Sequence, residues 1–498
     1  MKERLLLLVC RKRHWIFLIL VALIVAFPFQ GSRGLYETSE GRYAECAREM
    51  VETGNFIEPM LDYAHHWTKP PLTYWAIAGG ITLLGSNEWG VRLYNAIAFF
   101  LTIVLVASIG SLLWDKITGL AAGLVYATSP FPFFGSNAVT TDTLLTLWEV
   151  GAVFCYLKSC RAASPGERKR WIFTLWVCFA FGFLTKGPPA LIPLIPILTW
   201  HLWNKNQARL AYVPGLLFFL LIGFSWYVLV EYRHPELLSY FLGTEVVNRV
   251  SSAAVRNAEW YKPFAIYLPA LLFGAGFWAY FGIRALVKNH LIRYAVIKDS
   301  LKRGGRSSFL LLWLLLPLLL FFVVRSRLVL YVLPLYAPVA LAISRLALGA
   351  AKPFNFRRLA LIALIAAAFL LTAKSLASLY PSKTDMRYLY DIILQVSGDR
   401  GNKIAFSSRK LYGLQFYLGG HLKRISPSHE SEMLEVILSG DPFSPDIIVT
   451  EAEQAGEVFR IFERAGIPFQ ETTGRCWRLF SAVHFPERLA ARLGAERF

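Results

Sequence analysis

The chain alternates between long apolar runs and short basic connections. Apolar runs fall near residues 15–29, 92–113, 117–134, 142–160, 171–186, 188–203, 210–230, 264–286, 308–324, 328–346 and 358–377. Each approaches the ~20 residues that carry a helix across hydrocarbon. The pattern predicts a polytopic α-helical membrane protein with about eleven to thirteen transmembrane helices. The run from Trp15 to Phe29 follows the basic "RKRH" at 11–14, and no small-residue cleavage motif follows it. It reads as an uncleaved first span entered from the cytoplasm.

Two connections are long: 31–90 and 231–262. In the first, "GRYAECAREMVETG" sets Tyr43, Ala47 and Met50 at helical spacing, with Glu45, Arg48, Glu49 and Glu52 elsewhere around the helix. Gly54 is its expected stop. "PPLTYWAIAGGITLLG" is too short and Gly-rich for a span. It reads as an interfacial helix with Tyr74 and Trp75 at headgroup level. Beyond residue 380 the pattern changes. "MRYLYDIILQV", "LYGLQFYLGG" and "AGEVFRIFERAG" read as helices; "KIAFSS", "DIIVTEA" and "RCWRLFSA" read as strands. The expected division is a membrane body over 1–379 and a small soluble α/β domain over 380–498.

Composition agrees with a membrane protein. Of 498 residues, 55% are hydrophobic and 17% charged, with mean hydropathy +0.45; a soluble chain carries about 25% charged residues. The net charge of +19 would suit a nucleic-acid binder, but Lys and Arg gather in short loops: 161–170, 288–306 and 352–358. That is the positive-inside pattern, so no nucleic-acid partner is expected. It puts the N-terminus in the cytoplasm, and an odd span count puts the C-terminus outside. The six cysteines include no CxxC pair, so neither a disulfide framework nor a zinc site is suggested.

Charge on the outer side is where chemistry is expected. Glu37, Glu40 and Arg42 open the first long loop; a solvated amphipathic face is the plain reading, a carboxylate that activates a nucleophile the sharper one. Lys69, near His66, sits between Trp67 and a double proline, either snorkelling or aimed at a phosphate. Asp142 stands at the mouth of a span, as a helix cap or a functional acid. Lys186 lies in a short outer turn, a cation on the wrong side for topology. Arg249, Arg256, Arg325, Arg327 and Tyr331 repeat the theme. Cations gathered at the outer leaflet beside two separate acids suit a reaction on a phosphate-linked lipid.

The motifs "SEGRYAECAREMVETGNF", "WTKPPLTYW", "TTDTLL", "FLTKGPPAL" and "SRLVLYVLP" occur in the order seen in bacterial GT-C glycosyltransferases. Over about residues 15–345 the chain resembles the lipid A aminoarabinose transferase family and related members of the protein O-mannosyltransferase-like superfamily. The resemblance implies an inverting transferase in the bacterial inner membrane. Its donor sugar rides on a polyprenyl phosphate, usually undecaprenyl phosphate. Its acceptor is lipid A, lipopolysaccharide or another periplasmic molecule. It implies Glu40 as the catalytic carboxylate, because Ser39 stands where the family carries its leading Asp. Asp142 matches the second acid. Arg42, Lys69, Lys186, Arg249 and Tyr331 would grip the donor phosphate, with Glu37, Arg327 and His66 as further candidates. Thr68 and Val246 replace a Glu and a His that resemble metal ligands in the family, so no metal is expected there and no cofactor is required; a divalent cation elsewhere stays open. The expected partners are the lipid-linked donor, a lipid or glycolipid acceptor and membrane lipids, with the protein a monomer. Two alternatives stay open. A protein O-glycosyltransferase would share the fold. A flippase for a lipid-linked substrate would show repeats with broken helices in matching halves.

Overall fold

The computed structural model describes residues 2–204, 209–252, 254–288, 305–348 and 356–379. In the C-terminal part it describes 382, 384–397, 405–407, 410–424, 447–451, 455–464, 469–473 and 477–482. Most of the basic connections expected at 288–306 and 352–358 lie outside the described residues, as does the start of the strand expected in "KIAFSS".

The membrane body is helical. Its first elements are α1 (Lys2–Ala26), α2 (Ser39–Thr53), α3 (Leu72–Leu84), α4 (Glu88–Leu113), α5 (Lys116–Ala127), α6 (Pro130–Gly135), α7 (Asp142–Cys160), α8 (Pro165–Lys186) and α9 (Leu194–Trp203). Several starts carry side-chain caps, which satisfy N–H groups that would otherwise be orphaned at a helix end. Asn87 accepts from Gly90 N ahead of α4, Asp115 from Ile117 N and Thr118 N ahead of α5, and Ser164 from Glu167 N ahead of α8. α7 and α8 pack side by side, and α4 packs against α5 and α7 around Leu18, Ile103, Leu124, Val150 and Phe179. Without a hydrophobic drive between helices in lipid, close approach depends on small residues. A Cβ at Gly110 would lie 2.7 Å from Gly119 Cα, so α4 and α5 meet backbone to backbone.

Among the described residues, five helices are long and apolar enough to span a bilayer: Glu88–Leu113, Val213–Arg233, Arg306–Val323, Val329–Ala347 and Phe356–Leu379. The pair Lys262–Phe273 and Phe277–Ala285, bent by 88°, passes the same test only when taken together, as a broken span or a re-entrant loop. These are fewer than the apolar runs in the sequence, for physical reasons. The run at 117–134 is divided into α5 and α6, and the run at 188–203 into a 3-10 turn and α9. α7 and α8 reach 19 and 22 residues, but α7 carries Asp142, Glu149 and Lys158 and α8 opens on a basic segment.

The first long loop is more tightly packed than its pattern suggests. Tyr43, Ala47 and Met50 are buried on α2 as expected, but so are Glu45, Arg48 and Glu49. Arg48 bonds Glu45 and Glu52, each at 2.8 Å. Glu49 accepts from Asp62 N at 2.7 Å and Tyr63 N at 3.1 Å, stapling the turn of a small hairpin, β1 (Met60–Leu61) and β2 (Ala64–His65). α3 packs on α2 and α4. Tyr74 is buried beside Tyr43, and Trp75 Nε1 donates to Phe56 O at 2.6 Å.

Beyond residue 380, β3 (Ala405–Ser407), β4 (Leu422–Arg424), β5 (Ile447–Glu451), β6 (Phe469–Thr473) and β7 (Trp477–Ala482) form a sheet of order β4-β3-β5-β7-β6. β3 runs parallel to β4 and β5; β7 runs antiparallel to β5 and β6. β4 and β6 have no counterpart in the sequence reading; both are short and polar, without apolar alternation. The helix Tyr412–Tyr417 packs on α2. Gly413 N donates to Glu37, and Tyr417 Oη donates to Glu88 at 2.7 Å.

Candidate active site

A cavity of about 340 Å³ opens between the first long loop, the start of α7, the end of α8, the segment 238–250 and the stretch 320–334. Its walls are mostly apolar, with Leu145, Phe183, Phe241, Leu242 and Phe321 among them. Its charged groups are Lys69, Asp142, Glu149, Lys186, Glu245 and Arg249, and Tyr331 and Ser326 are among its other polar residues.

Local chain geometry aims each of them. Asp142 is the first residue of α7. Lys186 is the last of α8, because Gly187 leaves the helix at φ 75°, where a side chain would be strained. Tyr331 is the third residue of the 3-10 turn Val329–Leu335, which packs against α7. Glu245 sits in a π-helical turn, Phe241–Val247, one turn before Arg249; such turns often mark functional positions.

Ion pairs link the charged groups. Lys186 Nζ pairs closely with Asp142 and lies 4.4 Å from the Tyr331 ring centre. Glu245 Oε2 accepts from Lys69 Nζ at 3.0 Å and lies 2.7 Å from Arg249 Nη2, bridging the two cations. Burial and the nearby Arg249 pull Lys69 down to about 8, although Glu245 opposes them. His66 lies 2.7 Å from Thr68 Oγ1, and burial, Arg42 and Lys69 push it down to about 4. It is neutral at pH 7.

Lys69, Asp142, Lys186, Arg249 and Tyr331 therefore share one cavity. Glu40 does not line it. Glu40 is buried, accepting from Arg33 Nη2 at 2.8 Å, Arg92 Nη2 at 3.1 Å, Tyr36 N at 3.0 Å and Val139 N at 3.0 Å. Burial alone would raise its pKa; Arg92 and Arg33 outweigh burial and hold it at about 2. Its oxygens face these donors, which sets the carboxylate that the sequence offered as catalytic apart from the cavity lining. It locks the segment that leads into Asp142, which is also held by Tyr94 Oη on Thr140 O and Asn95 Nδ2 on Ala138 O, each at 2.8 Å.

The other candidates are also placed outside the lining. Arg42 lies 5.6 Å from the Tyr43 ring centre. Glu37 accepts from Gly413 N. Arg327 is buried and donates to Asn257 O at 2.9 Å, Glu259 O at 3.1 Å and Phe322 O at 3.2 Å, stapling the second long loop. Two lining acids were missed from sequence. Glu245 had a signal in its i,i+4 spacing to Arg249. Glu149 had one in being an acid on an apolar span two turns below Asp142.

Removing Glu40 leaves Arg33 and Arg92 facing each other without a counter-charge. Glu40→Ala is expected to cost roughly 3–5 kcal/mol of stability, as for a broken buried ion pair. A thermal melt in detergent reads this as a large downward shift. A melt unchanged from wild type, with turnover abolished, would return Glu40 to the chemistry.

A family model described as dolichyl-phosphate-mannose-protein mannosyltransferase matches residues 68–228. The undecaprenyl phosphate-alpha-4-amino-4-deoxy-L-arabinose arabinosyl transferase of Pectobacterium carotovorum subsp. carotovorum is 31% identical over 349 residues, covering 69% of this chain and 60% of its own. That of Erwinia tasmaniensis is 29% identical over 333 residues, covering 66% and 58%. The matched region thus spans only 58–60% of these relatives. Among solved structures, ArnT from Cupriavidus metallidurans bound to undecaprenyl phosphate superposes with a TM-score of 0.75 at 19% identity, over 95% of this chain and 99% of its own. The apo oligosaccharyltransferase of Archaeoglobus fulgidus gives 0.51 at 13% identity, over 95% and 74%. The chain thus shares the fold of these two structures, and its sequence is similar to those of the arabinosyl transferases.

Proposed function

We propose that the protein is an inverting glycosyltransferase of the bacterial inner membrane that moves a sugar from a polyprenyl-phosphate donor to lipid A or another lipopolysaccharide acceptor. One observation carries the reading: Lys69, Lys186, Arg249 and Tyr331, from distant chain segments, meet Asp142 at the polar part of an otherwise apolar cavity. The relatives named for undecaprenyl phosphate-linked arabinose transfer, and the ArnT complex with undecaprenyl phosphate, support the donor class.

The donor phosphate sits among Lys69, Arg249 and Lys186, and its prenyl chain lies along the apolar walls. Positive charge fixed before the reaction stabilises the phosphate as it leaves. The bond from the anomeric carbon to the phosphate oxygen breaks; the acceptor oxygen bonds to the opposite face. For a hydroxyl acceptor the proton passes to Asp142, which its ion pair with Lys186 holds in place. A phosphate acceptor, already anionic, needs no proton removed. Glu245 occupies the gap between Lys69 and Arg249, so the donor phosphate displaces its carboxylate. The N-terminus is cytoplasmic, the sheet beyond residue 380 periplasmic, and the protein a monomer. A protein acceptor is the second reading, favoured by the description of the family model. Mass spectrometry of lipopolysaccharide and glycoproteins from a deletion strain distinguishes the two.

With labelled polyprenyl-phosphate sugar and reconstituted enzyme, Asp142→Asn is expected to lower kcat by about 10²-fold or more for a hydroxyl acceptor. Lys69→Ala is expected to weaken donor binding by about tenfold or more, the loss of one charge-assisted hydrogen bond. Full turnover in Asp142→Asn together with unchanged donor binding in Lys69→Ala would sink the reading.

Lys69 is charged below about pH 8 and neutral above it. Donor affinity measured from pH 7 upward is therefore expected to fall as pH rises past 8. Lys69→Arg, which stays charged, flattens that limb; a profile identical in both proteins would place the titrating group elsewhere.

A further inference from the structure

A second cluster lies on the outer loops, apart from the cavity lining. The hairpin β1–β2 turns at Asp62 and Tyr63, both left-handed at φ 60° and 53°, and Glu49 takes both turn N–H groups. Its register pairs Met60 with His65, and His66 N donates to Pro59 O at 2.8 Å, which returns His65 to the neighbourhood of Glu58. Glu58 is fixed from its own side. Asn55 Oδ1 accepts from Ile57 N and Glu58 N, and Trp226 Nε1 donates to Ile57 O at 2.7 Å. From the second long loop comes His234, which caps the helix Ser225–Arg233.

Three ligand atoms converge there. His234 Nε2 lies 3.5 Å from Glu58 Oε1 and His65 Nδ1 lies 3.9 Å from Glu58 Oε2; one ligand atom from each residue lies within 4.8 Å of the others. Tetrahedral zinc bonds of ~2.1 Å set neighbouring ligand atoms about 3.4 Å apart, so a small contraction completes the geometry. Trp67 holds the imidazoles: its ring stacks on His65 at 5.1 Å and lies 5.2 Å from His234. Arg233 Nη1 donates to Glu58 Oε1 at 2.9 Å and supplies the positive charge the carboxylate needs while no ion is bound. Its exposed side chain swings into water when an ion enters.

We propose that Glu58, His65 and His234 bind one divalent transition-metal ion of the zinc class. Two imidazoles and a carboxylate suit such an ion and leave the fourth position to water. The site joins two loops about 170 residues apart in the chain. His65 is four residues before Lys69, and His234 precedes Glu245 on the other loop. The ion therefore fixes the separation of the two loops that frame the cavity. The site stands on its own geometry, whether or not the transferase reading holds.

The test is calorimetric titration of zinc chloride into full-length, tag-free protein in detergent, previously stripped with a chelator. Wild type is expected to bind one equivalent. His65→Ala and His234→Ala, both at partly exposed positions, are each expected to weaken binding by at least about tenfold. The zinc-induced rise in melting temperature falls in the same variants. No binding by wild type, or wild-type affinity retained in either variant, overturns the proposal.

Discussion

Lys69, Lys186 and Arg249 face one apolar cavity beside the membrane body, and burial makes their charge costly unless an anion answers it. Asp142 answers Lys186, and Glu245 answers both Lys69 and Arg249. In these ion pairs two carboxylates answer three cations. In the proposed mechanism Glu245 is the exchangeable one. It sits in a π-helical turn of a loop, whereas Asp142 is built into the start of α7. In that proposed mechanism a lipid phosphate brings the charge that Glu245 supplies when the cavity holds no donor.

That arrangement depends on rigid neighbours. Glu40, Arg33 and Arg92 form a buried ionic knot that ties the first long loop to α4 and to the segment entering α7. Asp142 inherits its position from the knot. The Arg327 carbonyl contacts do the same for the second long loop, whose Arg249 O also accepts from Ser326 N at 2.9 Å. Charges that looked catalytic in the sequence therefore divide into those that face the cavity and those that hold it open.

Sequence showed the helical membrane body, the amphipathic α2 and five of the cavity groups, because those features lie in short segments. The apolar face of α2 follows from local spacing, and Lys186 stood out by its flanking Gly187 and its outer position. What stayed hidden depends on distant contacts. Nothing near Glu40 reveals that Arg92, far along the chain, turns it inward. Nothing near Tyr74 reveals that α2 covers it. Likewise Glu58 and His65 look like ordinary loop residues until His234 arrives from the second long loop.

The most direct measurement is an experimental structure of the protein with a polyprenyl phosphate bound. The phosphate is expected within hydrogen-bond distance of Lys69 and Arg249, about 3 Å, with the Glu245 carboxylate moved away and the prenyl chain along the apolar walls. A phosphate bound elsewhere, with Glu245 still bridging Lys69 and Arg249, would contradict the charge exchange on which the proposed mechanism rests.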